Sequence, residues 1–290
     1  MPALTLHLLT LTPATTPQTF LANLKNHAGV KIIVASQPRR VIISPTILDS
    51  DPLLTESWDL LLLLQQLDPG TSLFPADLTS QIKEEYKINV GIPSKLLSTY
   101  TVRSNQLKQD AKSAPLTGSL DNLNPEESGQ NLEVSGELLK FMENFTKNVH
   151  DGAVTMLNLL HFHQPGGKES YYRYGQAFTP VAAKRGGNAK LVGNVIRPSL
   201  SSSSASKSST GLDSRGAVDR PEETWWNEIS IVHYPSLRHF CDMLAGEDYQ
   251  EVNRKHRLGA LRDTFLLCTT EFDLDDIEAA KKRKEKQAKL

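Results

Sequence analysis

The order of elements between residues 133 and 272 constrains the fold more than any other feature of the sequence. Apolar residues recur at three- and four-residue spacings over residues 138–149, which predicts an amphipathic helix. An apolar strand follows, then a helix that ends at Gly186-Gly187, two strands separated by a serine-rich stretch, a broken helix and a final strand. After the leading helix the order is βαββαβ, which packs helices on one face of an antiparallel sheet. The C-terminal half is therefore predicted to be a ferredoxin-like unit.

The N-terminal half shows the same order of elements more faintly. The predicted elements are a strand at residues 4–11, a helix at 16–37, strands at 40–47 and 58–66, a helix at 75–87 and a strand at 95–102. Two units of this kind in one chain imply two sheets that pack face to face.

Two polar stretches divide the chain. Residues 105–131 are turn-rich and carry only scattered leucines, which predicts a linker or mobile loop. Residues 199–223 contain a serine run with nothing to bury, which predicts a disordered loop between two strands. The predicted limits are an N-terminal unit at 1–104, a linker at 105–131, a C-terminal unit at 132–274 and a charged tail at 275–290.

Composition excludes several classes of protein. Lys plus Arg number 32 and Asp plus Glu 33, so no excess charge favours nucleic acid. Two cysteines are too few for a disulfide framework and favour a reducing compartment. The uninterrupted apolar run at 60–64 is too short to span a bilayer, and the apolar residues of the N-terminus alternate as in a strand. We therefore expect a globular protein with neither nucleic acid nor membrane as a partner.

Several motifs of the C-terminal half occur in the order typical of a known family. They are Asn158 within MLNLL, Gly175 and Pro180 in the tyrosine-containing helix, Gly186-Gly187, Tyr234-Pro235-Ser236, Tyr249 and His256-Arg257. On these motifs, residues 153–272 resemble the uncharacterised DUF1330 family, which belongs to the dimeric α+β barrel (ferredoxin-like) superfamily.

The resemblance implies a fold but no particular chemistry. Members usually have one ferredoxin-like unit, and two copies dimerise so that their sheets close a barrel. For this chain the resemblance implies an α+β fold class, in which two ferredoxin-like βαββαβ units form an intrachain, pseudo-dimeric α+β barrel. It leaves open whether the protein also forms a homo-oligomer. The superfamily contains monooxygenases, isomerases, cyclases and haem enzymes, so the fold alone does not select a reaction.

Two histidines are the candidate catalytic groups. His161 shares one face of its predicted strand with Leu157 and Leu159, and His233 ends another predicted strand. In a βαββαβ sheet we expect these two strands to lie side by side and parallel, which places both imidazoles near the C-terminal strand ends at one barrel mouth, close together. A histidine pair there, with Tyr234 beside it, suits acid–base catalysis near neutral pH. The alternative is that both imidazoles cap strand ends in solvent.

A metal site is the competing hypothesis for the same histidines. His161 and His163 alternate, as ligands on one face of a strand do, and Glu228 or His233 would be the third ligand. No Cys-x-x-Cys, His-Glu-x-x-His, Gly-x-Gly-x-x-Gly or P-loop motif accompanies them. We therefore predict neither a metal nor a cofactor, although histidines alone leave haem open.

Other polar residues are predicted to line a pocket or to pack. The resemblance places a basic pair at His256-Arg257, and these residues together with Asn158 are the predicted pocket residues. A helix-to-sheet anchor is the alternative for the basic pair. The aromatic stripe at residues 171–178 has helical spacing and is predicted to pack in the core.

The C-terminal tail predicts where in the cell the protein is located. Ala288-Lys289-Leu290 resembles the peroxisomal tripeptide of the S-K-L type, with Ala in place of Ser. It predicts a peroxisomal location, with the import receptor as a partner. The alternatives are a nuclear signal in KKRKEK, a plain solvated tail and a cytoplasmic protein.

Two functions remain open on the sequence. The first is a peroxisomal enzyme that holds a small apolar or aromatic metabolite between two sheets and acts on it by acid–base chemistry. The second is a non-catalytic ligand-binding or interaction module in which the histidines are incidental.

Overall fold

The computed structural model of the protein describes residues 3–68, 70–121, 123–196, 212–213, 224–277 and 279. The serine-rich stretch 199–223, predicted to be disordered, lies outside these residues except for 212–213. The predicted targeting tripeptide Ala288-Lys289-Leu290 also lies outside them.

The described chain alternates strands with helices. The strands are β1 (Ala3–Leu11), β2 (Val30–Ile43), β3 (Leu60–Gln66), β4 (Ile82–Gly91), β5 (Val154–Phe162), β6 (Asn188–Val195), β7 (Leu212–Asp213), β8 (Glu228–Tyr234) and β9 (Leu261–Glu271). The helices are α1 (Pro17–Leu24), α2 (Ser50–Thr55), α3 (Ala76–Thr79), α4 (Ser94–Asp110), α5 (Gly136–Asn148), α6 (Gly167–Ala183), α7 (Leu237–Ala245) and α8 (Glu247–Val252). A 3₁₀ turn (Ala111–Ser113) follows α4, and a π-helical turn (Asn253–Arg257) follows α8.

Eight of the strands close an antiparallel barrel made of two equivalent halves. The strand order is β4-β1-β3-β2 in the first half and β9-β5-β8-β6 in the second, so each half has the fourth-first-third-second order of its own strands. The halves join through the antiparallel pairs β2–β9 and β4–β6. Strand β7 adds to β4 in parallel. The predicted fold class, two ferredoxin-like units that form one intrachain α+β barrel, is confirmed.

Side chains fill the interior of the barrel. Alternate residues of each strand point inward, among them Leu6 on β1 and Leu157 on β5, and both are almost completely buried. Trp226 lies in the same core and donates from Nε1 to the Tyr86 hydroxyl at 2.9 Å. An eight-stranded barrel is just wide enough for side chains to fill it. The cavity described below therefore lies outside the barrel, and not between the two sheets as the sequence analysis expected.

Helices cover the outer faces of the two sheets. In the C-terminal unit, α5, α6 and α7 pack on the outward residues of β5, β8 and β9, such as Met156, Val232 and Leu266. In the N-terminal unit, α1 packs Phe20 and Leu24 on β1 and β3. Ser135 caps α5 and Ser236 caps α7, each by accepting from a backbone N–H of the first turn. The layers of the C-terminal unit thus follow the order predicted from its sequence.

Three element predictions for the N-terminal half are wrong. The predicted helix at 16–37 ends at Leu24, and the β-branched residues that follow it form β2 because β3 and β9 pair with them. The predicted helix at 75–87 keeps only α3, since the chain from Ile82 onward pairs along β1. The predicted strand at 95–102 lies inside α4, where Tyr100 and Ser104 share a helical face against the barrel.

The predicted linker, residues 105–131, begins as the last turns of α4 and then packs against the C-terminal unit. The backbone N–H groups of Thr117 and Ser119 donate to the buried carboxylate of Asp242 on α7, at 2.8 and 2.9 Å. Arg185, at the end of α6, pairs with the same carboxylate at 3.2 Å. Hydrogen bonds to the Asp242 carboxylate, which is itself ion-paired with Arg185, therefore hold this part of the segment against α7.

Candidate functional site

A cavity of about 400 Å³ lies between the outer face of the C-terminal sheet and helices α6 to α8, and we call it the helix–sheet cavity. This volume falls within the range of ligand pockets. The sheet contributes alternate residues of β5 and β8, because every second side chain of a strand points to the same face. The walls include Met156, Asn158, Phe162, Lys168, Tyr171, Tyr172, Tyr174, Gly175, Phe178, Glu228, Ser230, Val232, Tyr234, Tyr249 and Arg257.

One wall of the cavity is a continuous row of aromatic rings along α6. Tyr171 contacts Phe162 with ring centroids 5.4 Å apart, and Tyr174 follows at 5.1 Å and Phe178 at a further 5.4 Å. The Tyr174 and Tyr249 hydroxyls lie 3.3 Å apart. The stripe therefore packs in the core, as predicted, and the same rings form an apolar wall with hydroxyl groups at its edge.

Arg257 is the buried charge of the cavity. It ends the π-helical turn after α8, and only 3% of its surface is exposed. Its Nη2 atom is buried and has no hydrogen-bond partner among the described residues. Burial raises the pKa values of Tyr171, Tyr174 and Tyr234, and the nearby guanidinium opposes part of that rise. These tyrosines are therefore neutral at pH 7 and do not balance the charge of Arg257.

Glu228 is the carboxyl group of the cavity. It begins β8 on the same face as Ser230, Val232 and Tyr234. Burial raises its pKa to about 7, and the nearby Lys168 ammonium lowers that value only in part. Within the described chain, its side chain forms neither an ion pair nor a hydrogen bond. A carboxyl group with this pKa can both accept and donate a proton near neutral pH.

Asn158 and Tyr234 lie in the wall near these groups. Asn158 is buried, and its Nδ2 donates to the Met156 carbonyl at 3.2 Å. The Tyr234 hydroxyl donates to Met243 Sδ at 3.5 Å, a weak bond. Both side chains therefore keep capacity for a further hydrogen bond. Of the predicted site residues, Asn158, Tyr234 and Arg257 come together in the cavity.

The predicted histidine pair does not form. Strands β5 and β8 are antiparallel and not parallel as expected, so His233 pairs with Thr155, whereas His161 lies at the other end of β5. Six residues separate these positions, about 20 Å along a strand. Neither imidazole lines the helix–sheet cavity, because both side chains point into the barrel.

The remaining histidines are also apart. His161 is buried and its Nδ1 bonds to the Trp225 carbonyl at 2.8 Å, while His163 lies exposed beyond the end of β5. These two residues therefore do not share a strand face as predicted. His256 is partly exposed outside the cavity, and its carbonyl accepts from the Ser170 hydroxyl at 3.0 Å. In the described part of the chain, no three His, Cys, Asp or Glu side chains are grouped as a metal ion would require.

A second buried polar cluster lies at the barrel end that α4 covers. Lys190 pairs with Glu271 and donates to the Ser104 hydroxyl at 3.2 Å, and the Tyr100 hydroxyl donates to Glu271 at 2.8 Å. Burial alone would raise the pKa of Glu271, but the Lys190 ammonium holds it below its usual value. Burial, with the Lys190 charge nearby, lowers the pKa of His233 to about 4. This cluster ties α4 to β6 and β9.

The sequence did not predict Glu228 or Lys168 as pocket residues, although both line the cavity. Glu228 was considered only as a third metal ligand, and the tyrosine stripe only as packing. The signal was the position of an ionisable residue on the same face as Ser230, Val232 and Tyr234, which had to lie under the helices.

Solved structures that match the chain include the following three. A protein of unknown function from Rhodopseudomonas palustris is 24% identical, and the match covers 49% of this chain and 96% of that chain with a TM-score of 0.34. Its methylated form is 23% identical, covering 49% of this chain and 94% of that chain, with a TM-score of 0.35. A proposed monooxygenase from Lactobacillus acidophilus NCFM is 8% identical over 93% of both chains, with a TM-score of 0.45.

No family model matches the sequence, and no curated protein matches it. Among the residues that the structure describes, no helix combines the length and the apolar character needed to cross a membrane.

Proposed function

We propose that the protein is an enzyme that acts on a small apolar or aromatic metabolite by acid–base chemistry in the helix–sheet cavity. The observation that supports this most is the carboxyl group of Glu228, which faces an aromatic-walled cavity without a partner among the described residues. A carboxyl group in such surroundings changes its protonation near neutral pH, as a general acid or base must.

The other polar groups would orient the substrate. Tyr234 and Asn158 keep free hydrogen-bonding capacity in the wall, and the aromatic row along α6 would contact an apolar body. The acid–base roles predicted for His161 and His233 remain untested predictions. We assign the proton transfer to Glu228 because neither imidazole reaches the cavity wall.

We also propose that the C-terminal unit is DUF1330-like. Five of the residues that carry the resemblance meet in the cavity although they are far apart in the sequence: Asn158, Gly175, Tyr234, Tyr249 and Arg257. A common ligand site would explain why the residues that resemble the family gather around one cavity. The alternative function, a non-catalytic binding module, uses the same cavity and differs only in whether the ligand is converted.

A side chain added at Gly175 tests whether the cavity is the reaction site. A Cβ at Gly175 meets nothing within 4 Å, so Gly175→Leu should fold and extend into the open space of the cavity. We expect wild-type protein to deplete a compound from a metabolite extract with matching product formation, and Gly175→Leu to lose most of this turnover. Untargeted mass spectrometry of the extract is the measurement.

Gly136→Leu is the matched control, since a Cβ there also meets nothing within 4 Å and Gly136, the first residue of α5, does not line the cavity. This variant should retain the turnover of the wild type. Equal turnover by Gly175→Leu, or no conversion by the wild type, would argue against an enzyme at this cavity.

We further propose a peroxisomal location through Ala288-Lys289-Leu290 and the import receptor. An N-terminal fluorescent fusion is expected to give puncta that coincide with a peroxisomal marker, and deletion of Leu290 should make the signal diffuse. Gln287→Ala, next to the tripeptide, should leave the puncta unchanged. A diffuse or nuclear signal from the intact fusion would refute the address.

A further inference from the structure

We infer that the ligand of the helix–sheet cavity carries a carboxylate, and that Arg257 binds it. This inference rests on the proposed function only in using the same cavity, and it adds the chemical class of the ligand: a small monocarboxylic acid with an apolar or aromatic body.

The buried cations of the described chain differ in whether they have an ion partner. Three Lys or Arg residues are buried among the residues that the structure describes: Arg185, Lys190 and Arg257. Arg185 pairs with Asp242 at 3.2 Å, and Lys190 pairs with Glu271. Arg257 has no carboxylate partner within the same described residues, and its Nη2 makes no hydrogen bond. A buried guanidinium without a partner destabilises the folded protein. We therefore expect an anion from outside the chain to pair with Arg257.

Tyrosine hydroxyl groups lie near Arg257 in the cavity wall. Tyr171, Tyr174 and Tyr234 lie close enough for its charge to affect their pKa values, and all three hydroxyls are neutral at pH 7. Neutral hydroxyls donate hydrogen bonds but supply no negative charge. A carboxylate between them would accept from the guanidinium and from a tyrosine hydroxyl, in the geometry that arginine favours.

Two ionisable groups of the cavity wall, Arg257 and Glu228, lack an ion partner among the described residues. Glu228 influences Tyr171, as Arg257 does, but Glu228 and Arg257 form no ion pair with each other. The two unpaired groups therefore lie at separate places along an aromatic wall. A monocarboxylate anchored on Arg257 would lay its apolar body along Phe162 and Phe178 and bring another atom towards Glu228.

Matched acids and amides test the inference directly. Octanoate and 3-phenylpropionate would be compared with octanamide and 3-phenylpropionamide by isothermal titration calorimetry at pH 7. We expect at least one acid to bind the wild type about tenfold or more tightly than its amide, since only the acid supplies a charge for Arg257. Arg257→Met should remove this preference, and Arg257→Lys should keep part of it.

Arg254→Met is the control, because Arg254 lies on the same turn but is exposed and pairs with Glu247. It should keep the preference of the wild type. If an amide binds the wild type as tightly as its acid, or if Arg257→Met keeps the preference, the inference fails while the proposed function stands. If none of the four compounds binds the wild type, the inference fails, whereas the proposed function is decided separately by turnover of the metabolite extract.

A stability measurement separates ligand binding from a structural anchor. Without ligand, Arg257→Met should melt at a higher temperature than the wild type, because the variant no longer buries an unpaired charge. A lower melting temperature would identify Arg257 as a structural anchor between helix and sheet. The comparison of acids with amides on the wild type needs no variant and holds even if Arg257→Met fails to fold.

Discussion

Glu228→Gln is expected to reduce turnover by about 10²- to 10⁴-fold, the usual contribution of a general acid or base. The amide has nearly the shape of the acid but exchanges no proton at neutral pH. Ligand affinity should therefore change much less than the rate, by roughly threefold or less. Steady-state kinetics on the compound depleted by the wild type, together with calorimetric binding, measures both quantities.

The same variant should be more stable than the wild type at high pH. In the folded protein the pKa of Glu228 is about 7, against a usual value of 4.5. Between these pH values the folded state holds a proton that the unfolded state has released, so the free energy of unfolding falls as pH rises through this window. Gln does not titrate, and we expect Glu228→Gln to gain about 2 kcal/mol at pH 8 and nothing at pH 4.

Exposed Glu251 on α8 provides the control, since Glu251→Gln should change neither the rate nor the pH dependence of unfolding. Unchanged turnover in Glu228→Gln would show that the Glu228 carboxyl group does not take part in the reaction. Lost turnover with retained binding would exclude the non-catalytic binding module.

Lys190→Met is expected to lower the free energy of unfolding by about 3 to 5 kcal/mol, the cost of leaving a buried carboxylate without its buried ion partner. Glu271 keeps its bonds from Tyr100 and Ser104, but these neutral donors do not replace the ammonium. Urea unfolding at pH 7 followed by tryptophan fluorescence measures this loss. Adding Glu271→Gln should recover part of it, because the amide needs no counter-charge.

Lys108 supplies the matched control for this pair. It lies 3.8 Å from Glu271 and is about a third exposed, so Lys108→Met should cost about 1 kcal/mol or less. Equal losses for Lys190→Met and Lys108→Met would show that the buried pair does not hold α4 against the barrel.

The candidate site was predictable in part, for reasons that specific residues show. Asn158 and Tyr234 were selected because their strands and motifs were clear, and both line the cavity. The period of a strand tells which face a side chain occupies, but not the direction of the strand. His161 and His233 were expected to meet because their strands were taken to be parallel. Strand direction depends on the partner strand, and the antiparallel pairing of β5 with β8 separates them.

The N-terminal half shows the same limit for secondary structure. Residues 95–102 have a composition that suits a strand, yet they form α4, whose Tyr100 and Ser104 contact Glu271 in the far half of the chain. Residues 82–87 fit a helical pattern, yet they pair along β1. In both places long-range contacts outweigh local preference.

The sequence by itself determined the order of elements in the C-terminal unit, the ferredoxin-like repeat and the face of each strand, because periodicity and turn residues act locally. Only the tertiary structure decided that the barrel is closed and filled, and that the cavity lies beneath α6. It also decided that Arg185 and Lys190 have carboxylate partners whereas Arg257 has none among the described residues. Pairing and burial join residues far apart in the chain, and local patterns carry no information about which distant residues meet.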